Sequence, residues 1–182
     1  RDPLVSVALI EMYSKCGNFT EARKMFNSSP DQIVSSWAAL ISGYAEHGLN
    51  EEILLSLERM MFQSVTPDAL IFALSVKACA SLCDMEKGRE IHNYIVLDGM
   101  EADPYVATAL INMYADFCSI TEVQELFEML QDPGIVAWTA LIAVYAENNL
   151  LMEALGSVEQ MQLEGVSPDY LTFVCIMKSC SN

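Results

Sequence analysis

Residues 37 to 48 read WAALISGYAEHG, and residues 138 to 149 read WTALIAVYAENN. Extended to 37–81 and 138–182, the two stretches are identical at 20 of 45 positions, at an offset of 101 residues. A finer period lies inside this offset, because equivalent markers follow one another at 31, 35, 35, 31 and 35 residues: Tyr13, Tyr44, Cys79, Tyr114, Tyr145 and Cys180. The chain therefore repeats a unit of 31 or 35 residues.

Each unit is predicted to be a pair of amphipathic helices. In the stretch ALINMYA (109–115) apolar residues recur at i, i+3 and i+4, and TEVQELFEML (121–130) places four apolar residues on one face. Gly99 and Gly165, each followed within a few residues by proline, fit left-handed helix ends. A single helical hairpin cannot cover its own apolar face and must stack on the next, so the pattern predicts an all-α solenoid.

The period divides the chain into five full units and the start of a sixth. We assign them to residues 3–33, 34–68, 69–103, 104–134 and 135–169, with one further leading helix from 170 to 182. This division predicts about eleven helices in a single repeat array over residues 1–182, without a separate domain boundary.

Composition indicates a folded chain that does not cross a membrane. Of its 182 residues, 53% are hydrophobic and 19% are charged, so enough apolar surface exists to form a core. Apolar runs such as LIFALSV (70–76) fall far short of the roughly 20 residues needed to span a bilayer. We expect the ends to be cut from a longer protein, because no initiator Met or targeting segment is readable at residue 1. The six cysteines have no dense disulfide spacing, which favours a reducing compartment.

The net charge of −16 argues against strong binding to a phosphate backbone. Residues 101–182 contain one basic residue, Lys178, beside twelve acidic ones. If this chain binds nucleic acid alone, we expect a dissociation constant no better than the micromolar range typical of non-specific association.

The repeat resembles the pentatricopeptide repeat family of plants, in which 31-residue S, 35-residue P and 35-residue L motifs alternate. ALIEMYSKCGNFTEARKMF (8–26) is similar to an S motif, SWAALISGYAEHG (36–48) with VTPD (65–68) to a P motif, and VKACASLCDMEKGREIH (76–92) to an L motif. The order S, P, L, S, P, L covers nearly the whole chain and implies a right-handed α-solenoid. The tetratricopeptide repeat is the alternative, but its W-x2-L-G-x2-Y pattern fails where Ile41 and Ile142 replace glycine.

The resemblance implies single-stranded RNA binding, with one base read by each repeat. It places the main base-reading residue at the fifth position of each unit: Val7, Ala38, Ala73, Thr108, Thr139 and Val174. It places the second reader at the last position: Ile33, Asp68, Asp103, Gly134 and Asp169. The second residue of each unit would flank the base: Leu4, Ser35, Leu70, Tyr105, Val136 and Leu171.

Most of these pairs have little hydrogen-bonding capacity. Val7 with Ile33 offers none, the pairs Ala38/Asp68 and Ala73/Asp103 offer one carboxylate each, and Thr108/Gly134 offers one hydroxyl. The pair of Thr139 and Asp169 matches the family's guanine-reading combination, in which Asp accepts from donors on the base edge. The resemblance therefore implies one strong specificity position.

Other candidate sites are weaker. Trp37 and Trp138 could stack on bases, but their helical spacing favours packing inside the hairpins. Cys79, Cys83 and His92 could hold a metal, but no fourth ligand is evident for zinc. The H-x-E and P-C-x-x-C motifs of a cytidine deaminase are absent from this sequence. We therefore predict no enzyme, metal or cofactor in this chain, although a deaminase domain could lie elsewhere in a longer protein.

Two functions remain open. The first is a site-recognition segment for RNA editing or processing in a chloroplast or mitochondrion, as the resemblance implies. The second is a protein-binding scaffold with a degenerate RNA face, which docks the multiple organellar RNA editing factors that the family uses as partners. The apolar face of the last helix (170–180) is expected to be exposed or covered by a second copy of the chain, which would make a homodimer.

Overall fold

The computed structural model describes residues 3–29 and 32–179, so the marker Cys180 and the proline at position 30 lie outside the described residues. These residues form eleven α-helices and no strand, which confirms the predicted fold class and helix number. In chain order they are α1 (Pro3–Lys15), α2 (Phe19–Ser28), α3 (Val34–Glu46), α4 (Asn50–Phe62), α5 (Ala69–Leu82), α6 (Met85–Leu97), α7 (Pro104–Asp116), α8 (Ile120–Met129), α9 (Ile135–Glu147), α10 (Leu151–Leu163) and α11 (Tyr170–Ser179). Among them, none is both long and apolar enough to cross a membrane.

The odd-numbered helices, which we call the leading helices, begin at residues 3, 34, 69, 104, 135 and 170. Each of these is the first residue of a unit assigned from the sequence. The even-numbered helices, which we call the trailing helices, complete the hairpins. The assignment of individual units to S, P and L types stays a prediction.

The difference between 31-residue and 35-residue units lies in the trailing helix. Helices α2 and α8 of the shorter units have 10 residues, whereas α4, α6 and α10 have 13. The longer helices are followed by a residue in the left-handed region: Ser64, Gly99 or Gly165. The shorter ones pass directly into extended backbone at Ser29 and Leu130. The predicted left-handed stops at Gly99 and Gly165 are confirmed, with φ of 72° and 81°.

Each hairpin turns through one left-handed residue between its two helices. Gly17 and Gly48 serve the first two hairpins, whereas Cys83, Cys118 and Asn149 occupy the same place in the next three, with φ between 54° and 60°. Glycine adopts this conformation without a steric cost, whereas Asn adopts it only occasionally and Cys rarely. The turn is therefore set by hairpin geometry rather than by residue type.

The tryptophans pack within the fold, as their spacing predicted. Both side chains are buried. The ring centre of Trp37 lies 4.5 Å from that of Phe26, and the ring centre of Trp138 lies 4.6 Å from that of Phe127, both in edge-on contacts. Neither ring is available to stack on a base. Tyr13 is the exception among the tyrosine markers, since it is only half-buried.

Packing divides the chain into two compact units, one ending at Ile91 and the other beginning at His92. In the first unit, α3 packs against α1, α4 and α5. In the second unit, α9 packs against α7, α8, α10 and α11. Successive leading helices are thus neighbours within each unit, which places their N-terminal turns next to one another.

Candidate functional site

The last residue of each full unit precedes the next leading helix, and three of these residues, Asp68, Asp103 and Asp169, cap its N-terminus. Asp68 Oδ1 accepts a 2.9 Å hydrogen bond from the backbone N–H of Ile71. Asp103 Oδ1 accepts from Tyr105 and Val106 at 2.9 and 3.1 Å. Such capping satisfies backbone donors that the first helical turn leaves unpaired. The predicted second readers at these positions are therefore held in fixed orientations by their own helices.

Two predicted second readers lack a functional side chain. Ile33 and Gly134 stand at the N-cap positions of α3 and α9 without a side-chain hydrogen bond to the helix. The units that end in these residues are the two 31-residue units. Neither residue can donate or accept through its side chain.

The second residue of every unit is exposed on the first turn of its leading helix. These side chains are Leu4, Ser35, Leu70, Tyr105, Val136 and Leu171. All but one are apolar or aromatic, and an exposed apolar side chain next to a helix start can contact the face of a planar ligand. Their placement fits the base-flanking role that the resemblance implies.

The fifth residues differ in what they present. Ala73 is buried and offers no side chain to a ligand. Val7 and Ala38 are half-buried and apolar. Thr108 is half-buried, but its hydroxyl donates a 2.6 Å hydrogen bond to the carbonyl of Pro104 in the preceding turn. Its hydrogen-bonding proton is thus engaged within its own helix.

Thr139 and Asp169 are brought together in a pocket between leading helices of the second compact unit. The pocket has a volume of about 280 Å³. Thr139 and Asp169, the fifth and last residues of the unit 135–169, line the pocket. The second residues of that unit and the next, Val136 and Leu171, flank it, and Asn112 and Asp116 of the preceding unit complete its polar wall. We call this cavity the Thr139 pocket.

A buried threonine connects the two readers. Asp169 Oδ1 accepts 2.9 Å hydrogen bonds from both the backbone N–H and the hydroxyl of Thr172. The hydroxyl oxygens of Thr172 and Thr139 are 3.1 Å apart. The hydrogen bonds from Thr172, the backbone one first, lower the pKa of Asp169, so this carboxylate is ionised near neutral pH.

The sequence-based reasoning missed Thr172. Its signal was the spacing of Asp169 and Thr172, because a polar residue three positions after an N-cap can complete a capping motif. Ile71 and Val106 stand at the equivalent places after Asp68 and Asp103, and their apolar side chains cannot complete such a motif. The hydrogen bond to Thr139, 33 residues away in sequence, could not be read from local spacing.

The far wall of the Thr139 pocket is acidic. Burial, and then the nearby carboxylate of Glu147, raise the pKa of Asp116. The Cys118 thiol donates a 3.4 Å hydrogen bond to Glu147 Oε2. Because Asp116 and Glu147 add negative charge beside the pocket, the wall repels a phosphate but favours hydrogen-bond donors.

Most described cations are already paired. Lys15, Arg23, Lys24 and Lys87 each lie within 2.9 Å of a carboxylate. Arg59 instead donates to the side-chain oxygen of Asn27 at 3.0 Å. Its guanidinium lies 5.7 Å from the ring centres of two buried aromatic residues, which is a cation–π distance.

Lys77 differs from these cations. It is exposed on α5, and its ammonium group has neither a hydrogen bond nor a carboxylate within 4 Å among residues 3–29 and 32–179. It lies two helical turns after the exposed Leu70, on the same face of the helix. In the unit 104–134 its equivalent is Asn112, which lines the Thr139 pocket.

Of the residues considered for a metal site, only His92 has side-chain hydrogen-bond partners among the described residues. Burial raises the pKa of Cys79 to about 11, which keeps it a neutral thiol. His92 Nδ1 lies 2.9 Å from the Tyr114 hydroxyl, and its Nε2 lies 3.1 Å from Glu101 Oε1. Cys83 is exposed in the turn that follows α5. Within the part of the chain that the structure describes, no three His, Cys, Asp or Glu side chains are grouped as metal ligands.

Family models match both compact units. A model of the PPR repeat family matches residues 133–182, and a model of the PPR repeat matches residues 7–29 and 35–64, which together are more than half of the chain. A chloroplastic pentatricopeptide repeat-containing protein of Arabidopsis thaliana is 36% identical over 175 residues, 96% of this chain and 20% of its own length. A mitochondrial one from the same plant is 31% identical over 178 residues, 98% of this chain and 32% of its own length.

A solved structure has the same fold. The crystal structure of the pentatricopeptide repeat protein PPR10 in complex with an 18-nucleotide psaJ RNA element matches with a TM-score of 0.73 at 17% identity. The match covers 93% of this chain and 26% of that protein. It identifies the fold as an α-solenoid of helical hairpins. The chain spans a third or less of each of these proteins.

Proposed function

This chain belongs to the pentatricopeptide repeat family, and we propose on that premise that it binds single-stranded RNA through the N-terminal turns of its leading helices. The observation that carries the proposal is the Thr139 pocket, where the fifth and last residues of one unit meet between two exposed second residues. The solved complex of PPR10 with RNA, which has the same fold, supports the proposal.

The pocket is suited to one base with donors on its edge. Asp169 and the neighbouring acidic wall favour N–H groups, and Val136 and Leu171 can contact the two faces of a flat ring. Guanine presents two adjacent donors, N1–H and the N2 amino group, on its Watson–Crick edge. We therefore propose that the unit 135–169 reads guanine and that the other described pairs contribute little specificity.

In its longer context, we propose that the chain is part of a site-recognition factor for RNA editing or processing. Relatives named chloroplastic and mitochondrial support location in one of these organelles. The chain itself would bind RNA weakly, because its net charge is −16 and most described cations are paired with carboxylates. Other repeats of a longer protein would then supply further backbone contacts and specificity.

The test is fluorescence anisotropy of the 182-residue chain with short oligouridylates that carry one central G, A, C or U. A strand of uridines can slide until its single substituted base occupies the Thr139 pocket. We expect micromolar binding that favours G and weakens from about 50 to 200 mM salt. Thr139→Ala and Asp169→Asn should each reduce the preference for G about tenfold, as expected for loss of a base-specific hydrogen-bonding pair.

Asp84→Asn is the matched control. It also replaces a capping Asp, which accepts a hydrogen bond from the backbone N–H of Lys87 at 3.0 Å, and Asn caps equally well, but Asp84 is not a predicted reader and does not line the Thr139 pocket. The G preference of this variant should equal that of the unchanged chain. Equal binding of all four RNAs by the unchanged chain would refute base reading at Thr139 and Asp169.

A second function is favoured by one further observation. Phe62, Leu97 and Leu163 occupy the same position near the ends of the three 13-residue trailing helices and are 92%, 84% and 81% exposed. Protein-binding surfaces expose large apolar side chains where these form a contiguous patch. The alternative is therefore a scaffold on which such exposed residues, Phe62 in the first compact unit and Leu97 and Leu163 in the second, dock organellar RNA editing factors. Undetectable RNA binding at tens of micromolar, with binding of such a factor lost when the three are changed to Ser, would favour the scaffold.

A further inference from the structure

We propose that Thr172 is a positioning residue that fixes the hydrogen-bond polarity of the Thr139 pocket, so that Thr139 can act only as an acceptor toward a bound base. The inference rests on the proposed function and deepens it. Thr172 belongs to the first turn of α11, not to the unit whose base it would control. Its side chain is completely buried, so its own hydroxyl does not reach a ligand.

The argument starts from the capacity of one hydroxyl. A threonine hydroxyl has one proton to donate and two lone pairs that accept. The Thr172 hydroxyl donates to Asp169 Oδ1 at 2.9 Å and accepts from the Asp169 backbone N–H at 3.3 Å. The remaining contact, to the Thr139 hydroxyl at 3.1 Å, must use the second lone pair.

Thr139 is therefore the donor in that contact. The alternative direction would take the Thr172 proton away from an ionised carboxylate, which is the stronger acceptor. The Thr139 hydroxyl makes no other hydrogen bond among the described residues. With its proton directed to Thr172, the Thr139 oxygen retains only lone pairs for a ligand.

Two acceptors now face the same pocket. Asp169 is ionised and cannot donate, and Thr139 has no proton left to offer. Guanine places two donors side by side, whereas adenine and cytosine place an acceptor next to their amino group, and uracil has one donor between two acceptors. An acceptor-only pair thus favours guanine and opposes the other three bases.

Thr108 shows what happens without such a residue. Ala137 stands at the place equivalent to Thr172, three residues after the last residue of that unit, and the Thr108 hydroxyl donates to its own helix instead. The last residue of the unit of Thr108 is Gly134, so no carboxylate completes the pair. Among the described units, only the unit 135–169 therefore has a threonine at the fifth position whose proton is directed away from the ligand and a carboxylate at the last position.

The test compares Thr172→Val with Thr172→Ser in the same four-RNA anisotropy assay. Valine keeps the shape but removes the hydroxyl, which frees the Thr139 proton to donate. We expect Thr172→Val to lower the ratio of G to A binding by about two- to tenfold, the effect of one hydrogen bond. Serine keeps the hydroxyl and should restore the ratio. Ser75→Ala, which removes another buried leading-helix hydroxyl far from this pocket in sequence, should leave the ratio unchanged.

An NMR titration of the Asp169 carboxyl group provides a readout that needs no RNA. Thr172→Val should raise the pKa of Asp169, and Thr172→Ser should leave it depressed. A G preference that survives Thr172→Val, or an unchanged pKa of Asp169, would overturn the role of Thr172 while leaving base reading intact. Equal binding of all four RNAs by the unchanged chain would instead refute the proposed base reading, and this role with it.

Discussion

Gly43→Ala should destabilise the first compact unit, because α1 and α3 approach each other closely at this glycine. A methyl group at Gly43 would overlap Cβ of Ser14 and lie 3.2 Å from its Cα and 3.0 Å from its Oγ. Both residues are buried, so neither can move aside into solvent. The two helices follow one another as leading helices, and their spacing sets the distance between their base-reading positions.

The magnitude follows from two opposing effects. Favourable contacts between carbon atoms occur at about 3.5–4.0 Å, so the methyl group requires the helix backbones to separate. Overpacking of this kind costs about 1–3 kcal/mol. The lower backbone entropy loss of Ala in a helix offsets about 0.5–1 kcal/mol. We expect the free energy of unfolding to fall by about 1–2 kcal/mol.

Urea unfolding followed by circular dichroism would measure this change. Gly156→Ala is the matched control, since its added methyl meets nothing within 4 Å in the middle of α10, and it should stabilise by about 0.5–1 kcal/mol. Ser14→Gly removes the opposing Cβ, so in that background most of the cost of Gly43→Ala should disappear. An increase in stability for Gly43→Ala, equal to that of Gly156→Ala, would refute the close-approach argument.

Three further predictions concern the turns and the charges of the leading helices. Gly48→Ala should lower the unfolding free energy by about 1 kcal/mol in urea unfolding, because φ is +67° although the added methyl has open space. Lys77→Ala should weaken RNA binding and reduce the slope of log K against log salt concentration by about 0.7, if Lys77 contacts one phosphate. Asp116→Asn should strengthen RNA binding at pH 7, and its advantage should shrink as pH falls. The raised pKa of Asp116 means that the native carboxyl loses its charge at a higher pH than an ordinary Asp does.

The two charge predictions each have a control variant, and all three predictions have a contrary outcome. Lys24→Ala removes a cation already paired with Glu21 at 2.6 Å, so it should change the salt slope less than Lys77→Ala. Equal slopes would mean that Lys77 does not contact RNA. Asp132→Asn removes one negative charge from an exposed loop residue outside the Thr139 pocket. If it changes the pH dependence as much as Asp116→Asn, net charge rather than the pocket wall controls binding. A neutral Gly48→Ala would show that this turn tolerates a side chain at φ +67°.

The period of the sequence by itself determined the helices and their pairing. Equivalent residues spaced 31 or 35 positions apart predicted where each leading helix begins. This was possible because apolar periodicity and helix-ending residues are local properties of the chain. The burial of Trp37 and Trp138 was predictable for the same reason, since each recurs within the apolar stripe of its helix. A family resemblance then indicated which positions to inspect for RNA contacts.

Only the tertiary structure decided which of those positions can function. Ala73 is buried and the Thr108 hydroxyl is engaged within its own helix, although both stand at the predicted reading position. Thr139 faces a pocket and is linked to Asp169 through Thr172, a residue 33 positions later. Hydrogen-bond direction depends on which side chains meet between adjacent helices. That meeting is a product of packing across units, and no spacing within one unit encodes it.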